Sequence, residues 1–236
     1  MNSKAFLSAT LMLAVASLFA AETNSTGKVN SAVARLQAAA NYGWTTTVKI
    51  ADMPFEAGPV KGNTEKGGYT RVSQVFNDTT IDVIFKGEKV VVKDETGWRL
   101  AHEAEGMAAM MAGYLTGNGT AGDEAASLIK HMKSLETTQD GALSGEFTPE
   151  GAKELLTFRP RGGSPSPAPK NAKGSAKFWI KEGELTKFES KLQGAVALAA
   201  DQEERDIDMT RTTEIQNVGT AKVEVPEAAK QKFESK

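Results

Sequence analysis

The chain has 236 residues, of which 40% are hydrophobic, and its 28 Lys and Arg nearly balance its 30 Asp and Glu. This length is enough for one good hydrophobic core, and the balanced charge argues against a nucleic-acid partner, which normally leaves a basic footprint. No cysteine is present, so disulfides, thiolate metal sites, a thiol nucleophile and a lipid-anchoring cysteine are excluded.

The first residues have the layout of a secretory signal peptide. Lys4 supplies a positive start, and residues 5–19 run almost without a charge or a strong polar group. This apolar run is shorter than the roughly 20 residues that a helix needs to span a bilayer. The small residues Ala20 and Ala21 that follow it predict cleavage by a signal peptidase.

We therefore assign residues 1–21 to a signal peptide and residues 22–236 to a single mature domain. The protein is expected to be exported to the periplasm or the extracellular space, with no transmembrane segment after cleavage. Leu18 or Phe19, at the third position before the cut, is bulkier than usual there. An uncleaved anchor therefore stays open as an alternative.

The mature chain is predicted to begin with a helix and to continue with strands. Apolar residues at positions 29, 33, 36 and 40 have helical spacing. From Trp44 the period changes to two, which is typical of a half-buried strand. This alternation continues to Leu100, with Gly, Asn and Asp at the turns. It predicts an antiparallel meander of hairpins.

A helical segment interrupts the meander between residues 107 and 135. Apolar residues recur there at spacings of three and four, in two runs separated by the glycine-rich stretch 117–122. Thr120 and Asp123 have the spacing of a capping box at the start of the second run. Methionine is flexible and polarisable and is common at adaptable apolar binding surfaces. The methionines here predict either a lid over an apolar ligand or the filling of an irregular core.

Strand character returns at residues 143–147, and Thr148 as cap with Pro149 at the first helical position predicts a short helix. The stretch 159–170, RPRGGSPSPAPK, contains four prolines and two glycines. It is predicted to be an exposed loop. Because strand patterns flank it on both sides, we interpret it as an insertion within one sheet.

The C-terminal part is predicted to be a second meander. Alternating residues around Phe178, Phe188 and Met209 mark three strands. Val223 and Val225 are predicted to form the last strand, and the proline at position 226 to open a terminal helix.

This order of elements, with the segments FWIKEGELTKFE at residues 178–189 and TTEIQNVGTAKVEVPEAAK at residues 212–230, resembles the lipoprotein-carrier superfamily. That superfamily includes the LolA and LolB carriers and the mycobacterial LppX and LprG proteins. The resemblance implies an α+β fold, in which helices cover the concave face of a strongly curved, open antiparallel sheet, or half-barrel. We expect nine to eleven strands. It also implies a cavity for acyl chains, closed by the helices of residues 107–135.

Apolar side chains of the strands and of the interrupting helices are the candidates for lining this cavity. In a flat sandwich the same strand residues would pack against a second sheet, and their alternation does not distinguish the two arrangements. The candidate lining residues are Trp44, Val48, Val72, Phe76, Val83, Phe85, Met107, Met111, Leu128, Met132, Phe178, Ile180, Phe188 and Leu192.

Residues that could carry chemistry are few. His102 and His131 lack the three or four ligands of a zinc site, and we interpret them as surface or helix-end residues. Carboxylates at positions 103, 105 and 203–208 lie in charge-rich runs that are typical of a solvated face. The glycine-rich stretch 117–120 lacks the lysine of a phosphate-binding loop. No cofactor and no metal are therefore expected.

The sequence favours non-catalytic binding of an apolar ligand, either a lipid or an acylated protein, for transport or sensing. One alternative is a structural or protein-interaction module of the cell envelope with a packed core, whose partner would be an envelope protein. A second alternative is an exported hydrolase, which would need two carboxylates converging in one cleft.

Overall fold

The computed structural model describes residues 25–51, 58–76, 79–157, 166–197 and 203–235. Within these residues, eleven strands form one sheet and five helices pack on it. The strands are β1 (Asn41–Ile50), β2 (Val60–Glu65), β3 (Thr70–Phe76), β4 (Thr79–Lys86), β5 (Lys89–Asp94), β6 (Gly97–Leu100), β7 (Glu136–Thr137), β8 (Leu143–Glu146), β9 (Lys170–Lys181), β10 (Glu184–Val196) and β11 (Arg205–Gln216). The helices are α1 (residues 25–38), α2 (Gly106–Thr116), α3 (Ala121–Lys130), α4 (Pro149–Leu156) and α5 (Glu227–Glu234).

The sheet has the order β6-β5-β4-β3-β2-β1-β11-β10-β9-β8-β7, and every neighbouring pair in it is antiparallel. All neighbours are consecutive in the chain except β1 and β11, whose pairing joins the two meanders. The sheet is open and strongly curved, and helices cover its concave face. The predicted α+β half-barrel is therefore confirmed, with a strand number inside the expected range.

The main core lies between the concave face and the helices. Alternation along the strands sends one set of apolar side chains inward, and α1 adds Val29, Val33 and Leu36, all nearly fully buried. Trp44 of β1 lies flat over Gly62 of β2, where an added Cβ would come within 2.1 Å of the indole ring. Glycine at this position therefore allows the large ring to pack against the neighbouring strand.

A smaller core lies on the opposite, convex face. Ile84 and Val91 point away from the main core because they alternate with its residues along β4 and β5, and Ala229 of α5 covers them. Phe233 of α5 packs edge-on against Tyr69, with ring centroids 5.0 Å apart. The terminal helix predicted after the proline at position 226 is thus confirmed, and it packs on the outside of the sheet.

The side chain of Lys89 fixes the end of α5. Its Nζ donates hydrogen bonds of 2.9 Å and 2.7 Å to the carbonyl oxygens of Phe233 and Ser235. A cation at this position satisfies carbonyls that have no partner inside the helix and also favours the negative end of the helix dipole.

The predicted last strand at Val223 and Val225 is wrong. This stretch has no regular structure, because side chains rather than a neighbouring strand bind its backbone. The N–H of Val223 donates to Oε1 of Glu65 at 3.2 Å, and Arg71 donates to the carbonyl of Glu224 at 3.3 Å. The segment therefore leads from β11 to α5 as an anchored connection.

Several predicted features fall partly or wholly on residues that the structure does not describe. The signal peptide, residues 1–21, lies outside the described residues, as does most of the loop at 159–170. Its described end, residues 166–169, has no regular structure, and position 170 already belongs to β9. Within the described ranges, no helix is both long and apolar enough to cross a membrane.

Candidate functional site

The N-terminal end of α3 is firmly held on the sheet. Thr120 and Asp123 form the predicted capping box, in which each side chain bonds the backbone N–H of the other residue. The hydroxyl of Tyr42 on β1 accepts a hydrogen bond of 3.1 Å from the N–H of Gly122. Burial raises the pKa of Tyr42, and its hydrogen bonds with Thr120 and Gly122 offset part of that effect. The tyrosine therefore remains a neutral anchor for the helix.

A buried ion pair joins the middle of α3 to the sheet. Nε of Arg211 on β11 lies 2.8 Å from Oε1 of Glu124, and the two side chains are only 15% and 11% exposed. Burial alone would lower the pKa of Arg211, but the charge and the hydrogen bond of Glu124, together with the neighbouring Tyr114, raise it above its ordinary value. Arg211 is therefore a permanent cation with a matched anion.

A cleft of about 410 Å³ opens beside this ion pair, between α3, α4 and the strands β10 and β11. We call it the α3–α4 cleft. Its apolar wall consists of Leu128, Leu155, Leu156, Leu192 and Met209. Its polar wall includes Tyr114, Asn118, Glu124, Ser127, His131, Glu154, Ser190 and Arg211.

Strand register orders these side chains along the floor of the cleft. Ser190 of β10 is directly opposite Arg211 of β11, and two residues further Leu192 is opposite Met209. Residues two apart on a strand share a face and lie about 7 Å apart. The floor therefore changes from polar to apolar within one step along the strands.

The helices above the floor follow the same order. Glu124 of α3 lies over Arg211 at the polar end. At the other end, Cδ1 of Leu156 on α4 lies 3.0 Å from the place where a Cβ on Gly194 would stand. Gly194 follows Leu192 on the same face of β10, so α4 covers the apolar end of the floor. The cleft is thus amphipathic along its length.

A second, much smaller cavity of about 20 Å³ lies behind the ion pair. Glu124 and Arg211 line both spaces, while Trp44 and Val72 line only the small one. The ion pair therefore stands between the open cleft and the packed core of the sheet.

Twelve of the fourteen candidate lining residues belong to one apolar cluster on the concave face. Nine of them are buried, namely Trp44, Val72, Val83, Phe85, Met111, Leu128, Phe178, Phe188 and Leu192. Phe76, Met132 and Ile180 are partly buried against the same cluster. Of the fourteen, Leu128 and Leu192 line the α3–α4 cleft, so most of the set is brought together as packed side chains.

Val48 and Met107 lie apart from this cluster. Val48 is half-buried on β1, directly opposite Arg211. Met107 is 49% exposed, and Met110, one turn further along α2, is 56% exposed. The methionines of α2 therefore divide between two environments, because Met111 points into the core while Met107 and Met110 face outward.

None of the candidate lining residues belongs to the polar half of the cleft, although the sequence carries signals for it. Arg211 falls between Met209 and Thr213 on the inward side of β11, where a charged residue interrupts an apolar alternation. Glu124 shares a helical face with Leu128 and lies on the side of α3 that packs on the sheet. An ionisable residue on a buried face needs a partner, and this requirement was the available clue.

The histidine at the end of α3 lies in the polar wall of the cleft. His131 is the C-terminal cap residue, and its Nε2 lies 3.8 Å from Oε2 of the half-exposed Glu154. In the part of the chain that the structure describes, no group of three or more His, Asp or Glu side chains could hold a metal ion.

The acidic run near the start of β11 takes part in surface contacts. Glu204 lies 2.7 Å from Lys170, and Asp208 lies 3.6 Å from Lys191 and 2.6 Å from Nε2 of Gln193. These carboxylates are therefore held by neighbouring strands on the outer side of the sheet and lie away from the ion pair of the cleft.

No family model and no curated protein matches the chain. Among solved structures, the lipoprotein LppX of Mycobacterium tuberculosis is similar with a TM-score of 0.50 and 10% identity, over 86% of this chain and 99% of LppX. LprF of Mycobacterium bovis has a TM-score of 0.46 and 12% identity, over 88% and 98% of the two chains. A DUF1329 family protein of Desulfovibrio piger has a TM-score of 0.36 and 10% identity, over 88% and 96%. The resemblance to the lipoprotein carriers is thus confirmed as a likeness of fold.

Proposed function

We propose that this protein binds a lipid-like ligand non-covalently in the α3–α4 cleft, as a non-catalytic carrier or sensor outside the cytoplasm. The observation that carries the proposal is the apolar wall of the cleft, where three elements contribute Leu156, Leu192 and Met209. Each methylene group removed from water contributes about 0.8 kcal/mol. About ten of them contribute about 8 kcal/mol, part of which the ordering of ligand and protein on binding offsets.

The fold supports this proposal in a limited way. The curved sheet and covering helices shared with the lipoprotein LppX provide the framework in which helices stand over a concave face. The signal-peptide pattern of residues 1–21 supports a location in the periplasm or outside the cell. Transport and sensing both require reversible binding, and the cleft is accessible for it.

A second candidate is a cell-envelope module that binds another protein. It is favoured by the dense packing of the concave face, where Phe178 and Phe188 are almost completely buried. Such a module would use its surface instead of a cavity. A hydrolase has less support, because Glu124 is engaged by Arg211 and the nearby Glu154 is half-exposed.

Native mass spectrometry on protein purified from its own envelope without detergent tests the proposal. We expect one co-purifying acyl species per chain, which lipid extraction would then identify. A ligand-free mass that stays unchanged after incubation with envelope lipids would contradict binding in the cleft and would favour the protein-interaction module.

A matched pair of variants localises the ligand. Met209→Gln places a polar group of similar size in the apolar wall, whereas Met107→Gln makes the same change on the exposed side of α2, outside the cleft. We expect the first variant to lose most of the bound species and the second to retain it. Equal retention by both variants would show that the ligand occupies a different place.

A further inference from the structure

The polarity of the α3–α4 cleft restricts the chemistry of its ligand. Ser190 and Arg211 form the floor at one end, and Leu192 and Met209 form it one step further along the strands. Leu156 covers the second end. A purely apolar ligand would cover the polar end without making hydrogen bonds to it, which is unfavourable. The two ends together fit a molecule with one polar and one apolar part.

The charges at the polar end disfavour an anionic head group. Among the described residues that line the cleft, Arg211 is the one Lys or Arg, and Glu124 matches its charge at 2.8 Å. Elsewhere in the cleft, Glu154 on α4 adds a further carboxylate near His131. A phosphate or carboxylate would therefore meet no unmatched cation and would approach a negative side chain. Hydroxyl or amide groups can instead exchange hydrogen bonds with Ser127, whose hydroxyl both donates and accepts.

The size of the cleft limits the number of acyl chains. A methylene group takes up slightly less space than a water molecule in the liquid, about 30 Å³, so a cleft of about 410 Å³ holds about 14 such groups, which corresponds to one chain of about ten carbons together with a small head. Two chains of that length would need about twice this volume. The adjoining cavity of about 20 Å³ has room for about one water molecule.

We propose that the ligand is an amphiphile with a single acyl chain and an uncharged, hydrogen-bonding head, which lies with its head at Arg211 and its chain along Leu192, Met209 and Leu156. This inference rests on the proposed function, since it names the ligand class of the same cleft. The proposed ligand class excludes lipids with two or three chains and lipids with a charged head.

Three probes of equal chain length test the inference on the full mature chain. They are monodecanoylglycerol, with one chain and an uncharged head, didecanoylglycerol, with two chains, and decanoyl lysophosphatidic acid, with one chain and an anionic head. Native mass spectrometry at equal concentrations measures the bound fraction of each. We expect a one-to-one complex with monodecanoylglycerol and at least about tenfold weaker binding of the other two, a difference of about 1.4 kcal/mol or more.

The outcomes separate this inference from the proposed function. Equal binding of didecanoylglycerol would overturn the single chain, and equal binding of lysophosphatidic acid would overturn the uncharged head, while both would leave lipid binding intact. A co-purifying lipid with two chains or a charged head would also overturn the inference alone. Failure of every probe, together with a ligand-free mass for the protein from its own envelope, would overturn both.

A charge variant provides an independent test of the head-group argument. Glu124→Gln removes the anion that matches Arg211 but keeps an oxygen that accepts its hydrogen bond. The ratio of lysophosphatidic acid binding to monodecanoylglycerol binding should then rise about tenfold, since a charge-assisted bond to Arg211 becomes available. Glu146→Gln is the matched control, because Glu146 is exposed and does not line the cleft. An unchanged ratio in Glu124→Gln would contradict the role given to the ion pair.

Discussion

Arg211 and Glu124 meet inside the protein although 87 positions separate them along the chain. Bringing two charges out of water is costly, and their mutual attraction compensates only when the geometry is good and both partners are present. The distance of 2.8 Å and the raised pKa of Arg211 fit such a pair. The pair therefore constrains how α3 sits on β11 more than it adds to stability.

Removing one partner of this pair should be much more damaging than removing both. We expect Arg211→Met to lower the free energy of unfolding by about 3–5 kcal/mol, because it leaves Glu124 buried without a counter-charge. The double variant Arg211→Met with Glu124→Leu should recover most of this loss. Urea unfolding of the wild type, both single variants and the double variant measures the coupling directly.

An exposed ion pair provides the control for this cycle. Lys170 and Glu204 lie 2.7 Å apart on the surface, and removal of such a pair usually changes stability by less than about 1 kcal/mol. If Lys170→Ala and Arg211→Met destabilise the protein equally, the burial of the Arg211 pair has no energetic effect and our account of it fails.

For the buried charged residues, the sequence predicts which way a side chain points but not which residue it pairs with. The alternation of β11 gives the inward direction of Met209, Arg211 and Thr213, because side chains on a strand alternate between its two faces. It does not give their neighbours across the fold. The partner of Arg211 depends on how α3 is placed over the sheet, and that placement results from distant contacts such as the bond of Gly122 to Tyr42.

Among the helical elements, α2 and α3 are held very differently. α3 has a capping box, the hydrogen bond to Tyr42 and the ion pair with β11. α2 has no side chain that caps its start, and two of its methionines face outward. The linker between them, residues 117–120, contains glycine at positions 117 and 119. Local stability should therefore fall from α3 to α2.

Hydrogen exchange checks this difference between the two helices. We expect backbone amides of α2 to exchange at least about tenfold faster than those of α3, because α2 lacks the capping box and the buried ion pair that hold α3, and a segment with weaker anchoring opens at lower free energy. The measurement is amide exchange followed by mass spectrometry or NMR on the ligand-free protein. Similar protection in both helices would indicate that they open as one unit and would contradict separate anchoring.

The two methionine environments of α2 give a further prediction. Met111→Ala should lower the free energy of unfolding by about 2–5 kcal/mol, since Met111 is buried and its removal leaves a cavity. Met107→Ala should change it by less than about 0.5 kcal/mol, because Met107 is half exposed. Thermal and urea unfolding of both variants compare them on one helix. A large loss in Met107→Ala would mean that its side chain has a structural role.

Elements with a long periodic pattern could be predicted, and short or irregular ones could not. The hairpins of β3 to β5 and the capped starts of α3 and α4 follow from alternation and from cap residues that act locally. β7 has two residues, Glu136 and Thr137, too few for any period. Val223 and Val225 alternate like a strand, but side chains of Glu65 and Arg71 take the place of a partner strand.

For the whole molecule, the notable feature is that helices cover both faces of the sheet. Four helices lie on the concave side, while α5 alone covers Ile84 and Val91 on the convex side. Both of these residues are fully buried. The outer face of the sheet is therefore apolar beneath α5, and the covering helix keeps this patch away from water.

Deletion of residues 227–236 should expose this patch. We expect a loss of about 3–6 kcal/mol in the free energy of unfolding, from about 1.5–3 kcal/mol for each of the two uncovered side chains, and self-association through the exposed face. Urea unfolding and light scattering after size exclusion measure the two effects. Gln231→Ala, on the exposed side of the intact helix, should change neither. A monomeric, equally stable deletion variant would show that α5 is dispensable.

The pairing of β1 with β11 has a consequence for the order of folding. It holds Thr46 and Thr213 together at 2.8 Å although they are 167 positions apart, and contacts of such separation form late because closing long loops costs chain entropy. The strands on either side of this pair, β2–β6 and β7–β10, are neighbours along the chain and can form local hairpins as soon as they are synthesised. A chain that crosses a membrane from its N-terminus, as the predicted export route implies, must keep one edge of β1 unpaired until β11 has followed. During that interval the bare edge of β1 can pair with a wrong strand.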